Sequence, residues 1–171
     1  MGTINLANNL FQKLLQLNYL ITTIESCTGG LIANLITDIS GSSQVFWGGR
    51  VVYDNKAKIA LGVDPSIIES YGVVSYETAR SMAENGLLEL QRSYMNNNND
   101  KHFICVATTG LAERSHENNG NKEGGVCWIG VASSNKDTIL VEKIDASALL
   151  SRKETKLEFA KRAIELVEKH L

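Results

Sequence analysis

The sequence predicts an α/β domain, a mixed sheet covered by helices. Three observations carry this. Helix-periodic and strand-like segments alternate from the start, two late strand-like runs are joined by a short polar turn, and an apolar-periodic helix closes the chain.

Ala7, Leu10, Phe11, Leu14 and Leu15 repeat at helical spacing, so the first segment forms a helix with one packed face. "YLITTI" (19–24) reads as a strand, and Leu31, Ile32, Leu35, Ile36 and Ile39 mark a helix beginning near Thr28. "DISGSS" (38–43) is a loop, and "VFWGGRVVY" (45–53) a strand whose two glycines indicate a bulge or a close backbone approach. Asp64-Pro65 starts a helix, with the aspartate as cap and the proline in the first turn. Ser75 opens another, because Ala79, Met82, Ala83, Gly86, Leu87 and Leu90 share one face. After the polar loop "MNNNND" (95–100) come strands at "HFICVAT", "GGVCWIGVAS" and "TILVEKI", the last two joined by Ser134–Asp137. Leu157, Ala160, Ile164, Val167 and Leu171 define the closing helix. No internal repeat or linker divides the 171 residues, and one domain spanning 1–171 is expected.

Composition narrows the function classes. The hydrophobic content of 43% and a single proline fit an ordinary folded chain. A formal charge of −2 with no basic stripe argues against nucleic acid as partner, while a small phosphorylated ligand needs only a few cations or a helix start. The apolar runs are too short for a bilayer span, so a cytoplasmic location without membrane contact is expected. Position six is Leu6, where a myristoylation signal needs Ser or Thr. Three cysteines without paired spacing make neither a zinc site nor a disulfide framework. Cys105 and Cys127 read as packing residues.

The chemistry-bearing stretch is "IESCTGGLIANLI" (24–36), a strand-to-helix turn. A serine there can be held out while the following amides point at one spot, and those amides can stabilise an oxyanion or hold a phosphate. The plainer alternative is that Thr28 caps the helix and Gly29 and Gly30 allow tight packing. Taken alone, the stretch favours the plainer alternative, since no Gly-Lys-Ser/Thr follows. Ser26 needs a base. His102 begins a strand, His116 sits in a polar loop and His170 lies beside the C-terminus, so a histidine base has weak support. Lys58 is the other option, about one helical turn beyond Tyr53. A drop of two units from its usual pKa of about 10.4 requires about 2.7 kcal/mol of differential interaction, within reach of a dry pocket. Tyr53 would relay the proton or orient the lysine. Against this, Lys58 reads equally well as a surface lysine like Lys56. Cys27 is a third candidate nucleophile, but adjacent side chains on a turn point different ways.

Together these segments resemble a family. Glu-Ser-Cys-Thr-Gly-Gly (25–30), Gly-Ser-Ser (41–43), Gly-Gly (48–49) and Tyr-x-Asn-x-x-Lys (53–58) fall in the order and spacing of the C-terminal domain of competence/damage-inducible CinA proteins. Stand-alone versions of that domain are nicotinamide-nucleotide amidohydrolases. The resemblance implies a three-layer α/β/α domain that hydrolyses the carboxamide of nicotinamide mononucleotide to nicotinate mononucleotide and ammonia, without metal or cofactor. It assigns Ser26 as nucleophile, Lys58 as base and Tyr53 as assistant. It places Thr28, Gly29, Gly30, Ser42, Asn55, Thr109, Gly110 and Arg152 around the substrate. A small nucleotide is the expected partner, and a homodimer or higher homo-oligomer the expected assembly.

The second half departs from the family pattern. Thr109-Gly110-Leu111-Ala112 and Gly125-Val126-Cys127-Trp128 keep its frame. Its Gly-Pro-x-Gly-Gly loop, however, is replaced by residues 113–120, which bring in Glu113 and Glu117. Lys156 stands where the family has a second arginine, which removes bidentate phosphate geometry. These changes motivate a second expectation, a weakly active or inactive paralogue that binds a nucleotide or phosphate.

Overall fold

The computed structural model describes residues 3–95, 100–113 and 124–171. Its elements follow the order α1 (Thr3–Gln16), β1 (Tyr19–Glu25), α2 (Leu31–Thr37), β2 (Phe46–Val51), α3 (Asn55–Leu61), α4 (Pro65–Tyr71), α5 (Tyr76–Arg92), β3 (His102–Leu111), β4 (Val126–Ser133), β5 (Leu140–Asp145) and α6 (Arg152–His170). The five strands form one sheet in the order β2-β1-β3-β4-β5. β1 runs parallel to β2 and β3, while β4 pairs antiparallel with both β3 and β5. The sheet is therefore mixed, as the alternating segments and late hairpin predict.

Two hydrophobic clusters lie on opposite faces. One joins Leu10, Leu14, Ile32, Ile36, Phe159 and Ile164 from α1, α2 and α6 to the sheet. The other sets Met82 and Ala83 of α5 against Ile24, Cys105 and Ala107. The molecule thus has three layers. Every residue of β1 is buried, because this interior strand has helices over both faces.

Local chemistry accounts for the boundaries. The side chains of Asp64 and Ser75 accept N–H bonds at the starts of α4 and α5, the two caps expected from the sequence. α2 begins at Leu31 rather than near Thr28, because Gly29 and Gly30 adopt left-handed backbone angles (φ +66° and +94°) that delay the helix. The glycines of β2 answer both expectations. The β1–β2 register slips past Trp47, and a Cβ at Gly49 would lie 2.9 Å from the Thr23 carbonyl oxygen. Residues 96–99 of the expected polar loop lie outside the described residues.

From β1 the chain crosses to β2 on one side and later to β3 on the other. The crevice beyond the carboxyl ends of β1 and β3 is therefore the switch point where open α/β sheets hold ligands. Ser26 follows the last residue of β1 directly.

Candidate active site

The turn after β1 is built by a residue that the sequence reading left without a role. Glu25 is buried, and its carboxylate accepts N–H bonds from Gly30 (3.0 Å), Ile32 (3.1 Å) and Ala33 (2.9 Å). Three charge-assisted bonds at the positive end of α2 compensate the cost of burying the carboxylate. Glu25, not Thr28, is therefore the cap. The left-handed Gly30 at the N-cap position has no side chain to do it. Thr28 is fully buried, its hydroxyl 2.9 Å from that of Thr108.

This wiring also revises the expected oxyanion amides. Gly29 N–H donates to the Ser26 carbonyl and Gly30 N–H to Glu25, so both are occupied. The Thr28 amide belongs to a residue with no exposed surface. The N–H of Cys27, next after the serine, bonds to no acceptor among the described residues.

Lys58 arrives from α3. Asp54 caps this helix by accepting from Lys56 N–H, and left-handed Gly62 ends it. The helix turns Lys58 inward, 1% exposed, and leaves Lys56 in solvent. Lys58 Nζ lies 2.8 Å from the Val52 carbonyl oxygen, 3.2 Å from that of Tyr53 and 3.1 Å from Ser26 Oγ. Burial pushes its pKa below the usual lysine range, and electrostatic interaction with its neighbours, Asp54 among them, opposes this only in part. The three oxygens fix what a neutral amine at this position can do. A neutral amine has two N–H bonds and one lone pair, and two of its neighbours are carbonyls that only accept. With both N–H groups on the carbonyls, the lone pair faces the Ser26 hydroxyl, the one neighbour with a proton to give.

The remaining candidates divide. Tyr53 contributes its main-chain carbonyl to Lys58, while its exposed hydroxyl accepts from Arg152 at 3.0 Å. Arg152, the first residue of α6, also donates to Glu113 at 3.3 Å. Asn55 is exposed at the first turn of α3. Thr109 is buried, its hydroxyl donating to the Val73 carbonyl at 2.6 Å. Gly110 permits a tight strand pair, since a Cβ there would lie 2.4 Å from the Val126 carbonyl oxygen.

Ser42 is not brought to the site. It precedes β2, whose first residue Phe46 pairs with Ile21, whereas Val51 pairs with Glu25. Ser42 therefore lies beyond the amino end of β2, at the opposite end of the strands from Ser26. His102 pairs with Tyr19 at that same end of the strands. His170 ends α6, about 27 Å along the helix from Arg152. Residues 114–120, including His116 and Glu117, lie outside the described residues.

Beside the turn lies a cavity of about 1040 Å³ between the starts of α2 and α6. Gly29, Gly30 and Asn34 line one wall, and Arg152, Lys153 and Lys156 bring positive charge to the other. Lys156 reaches closely over the glycine turn, its Nζ 3.2 Å from where a Cβ on Gly29 would be.

Residues 3–171 match the family model of the CinA C-terminal domain. The chain belongs to that family. A Thermoanaerobacter sp. (strain X514) protein named for competence-damage induction is 40% identical over 161 residues, covering 93% of this chain and 35% of its own length. A CinA-like protein of Chloroherpeton thalassium is 47% identical over 117 residues, covering 68% of this chain and 25% of the relative. The chain thus spans about a third or less of these curated relatives. The crystal structure of the competence/damage inducible protein CihA from Agrobacterium tumefaciens superposes with a TM-score of 0.83 at 32% identity, covering 99% of this chain and 96% of that one. A Klebsiella pneumoniae CinA superfamily structure shares the fold at 19% identity, with a TM-score of 0.84. The α/β fold with its mixed sheet is that of the CinA superfamily. Among the described residues, no helix is long and apolar enough to cross a membrane.

Proposed function

We propose that this CinA-family domain hydrolyses the carboxamide of nicotinamide mononucleotide, with Ser26 as nucleophile and Lys58 as general base. The observation that carries the reading is the buried 3.1 Å contact between Lys58 Nζ and Ser26 Oγ, with both other neighbours of the amine being carbonyls. Ser26 Oγ attacks the carboxamide carbon as its proton passes to Lys58. We assign the developing oxyanion to the Cys27 N–H, which has no acceptor among the described residues. Lys58 then returns the proton to the departing nitrogen, ammonia leaves, and an acyl-serine remains. Water attacks this ester, gives its proton to Lys58, and nicotinate mononucleotide departs as Ser26 recovers its hydrogen.

Ammonia release from nicotinamide mononucleotide by the purified protein tests the reading. Ser26→Ala and Lys58→Ala should each lower kcat by about 1,000-fold or more, and full activity in either would remove the mechanism. A parallel screen of amidated pyridine nucleotides and nucleosides identifies the substrate.

The Glu113–Arg152 ion pair favours a second reading, a nucleotide- or phosphate-binding paralogue with little turnover. A carboxylate already holds the guanidinium that an anionic ligand would need. Calorimetric binding of the nucleotide without ammonia release would favour that reading over hydrolysis.

A further inference from the structure

We propose that Cys27 and Cys127 are an oxidant-sensitive thiol pair, and that their disulfide disables Ser26. The second half of the proposal rests on the serine mechanism above, while the first does not.

The two sulfur atoms lie 3.6 Å apart, in contact across 100 positions of sequence. A disulfide brings them to about 2.05 Å, so they need to approach by about 1.5 Å. Closure has to strain one of the two segments, and Cys27 lies in the turn between β1 and α2, outside the sheet ladder. Cys127 is anchored in β4, opposite Gly110. Closure therefore draws the turn toward the sheet, and Ser26 with it. Cys27 is bonded directly to Ser26 and supplies the N–H assigned to the oxyanion. A displacement of about 1 Å at such a group lowers turnover by about 100-fold.

The third cysteine is an internal control. Cys105 lies in the cluster on the opposite face of the sheet, against Gly86 of α5. The pair belongs to the cluster beneath α1, α2 and α6.

The oxidant is a peroxide. Cys27 retains slight exposure and Cys127 has none, so attack begins at Cys27. Its sulfur takes one peroxide oxygen to become a sulfenic acid, and the O–O bond breaks with release of water. The Cys127 sulfur then displaces hydroxide from the sulfenic sulfur, and that hydroxide leaves as a second water with the Cys127 proton. Two sulfurs are oxidised, two peroxide oxygens are reduced, and the protein loses two hydrogens. Burial pushes the Cys127 thiol pKa up, which slows this second step, while fixed contact with its partner favours it.

The test treats the whole protein with hydrogen peroxide, then maps thiols by alkylation, mass spectrometry and peptide sequencing. The expected result is a mass lower by two hydrogens, a peptide linking 27 to 127, Cys105 still alkylated, and ammonia release down about 100-fold until dithiothreitol restores it. Cys127→Ala, outside the catalytic machinery, should keep its ammonia release before treatment and form no linkage afterwards. Three free thiols after treatment, a linkage involving Cys105, or a 27–127 disulfide with undiminished turnover would each overturn the proposal. A reduced protein that releases no ammonia would instead sink the hydrolase reading, with the thiol map still deciding whether the pair forms.

Discussion

As the proposed base, Lys58 has to be neutral, and burial favours that form. The kcat/KM of ammonia release should therefore rise with pH through an acid limb centred below the usual lysine value of 10.5. Lys58→Arg should lower kcat by about 1,000-fold or more and erase the limb, since a guanidinium does not deprotonate. The same depression links folding to pH. Between the lowered folded pKa and 10.5 the unfolded chain holds more protons, so stability rises with pH across that window. Below the window, the destabilising effect of the buried charge is felt in full. Denaturant midpoints of wild type and Lys58→Met should show this: the difference moves in favour of wild type as pH climbs toward 10.5. A gap that does not vary with pH would contradict it.

At the scale of elements, the decisive joint is Glu25 with α2. The helix has only seven residues and a glycine at its cap position, so its start depends on a carboxylate from the preceding strand. Glu25→Gln replaces one acceptor oxygen with a donor that faces an N–H. It should lower stability by about 1–3 kcal/mol in chemical denaturation and reduce turnover by loosening the turn that carries Ser26. The interface of α5 with β4 makes an independent case. A Cβ at Gly130 would lie 2.5 Å from the Ala79 carbonyl oxygen, a backbone atom that cannot swing away. Gly130→Ala should therefore lower stability by about 1–3 kcal/mol, measured the same way. Because Gly130 packs against α5 on the face of the sheet away from the cavity and makes no hydrogen bond to Ser26 or Lys58, the surviving folded fraction should keep its KM.

At the scale of the molecule, the site exists only where separate segments meet. β1 delivers Ser26, the β2–α3 corner delivers Lys58 and two carbonyls, and α6 delivers Arg152, which bonds to both Tyr53 and Glu113. Arg152→Ala should raise the KM for nicotinamide mononucleotide by about tenfold or more with a smaller change in kcat, because the guanidinium lines the neighbouring cavity and bonds to Tyr53 and Glu113 rather than to the serine. An unchanged KM would remove it from substrate binding.

Most of the architecture was legible without coordinates. The alternation of segments, the caps at Asp64 and Ser75 and the glycine irregularity in β2 are local patterns, and periodicity or turn chemistry reports them directly. Ser26 and Lys58 were also named from sequence, though the spacing alone did not separate Lys58 from Lys56. What tertiary structure decided was which lysine lost its water, which residue capped α2, and which candidates share an end of the sheet. Burial chose Lys58. The carboxylate of Glu25 took the role assigned to Thr28, strand register carried Ser42 to the opposite end of the strands, and packing placed Cys27 against Cys127. Desolvation and register depend on residues distant in the chain. A sequence displays the groups able to do chemistry, but only the packed sheet determines which of them meet.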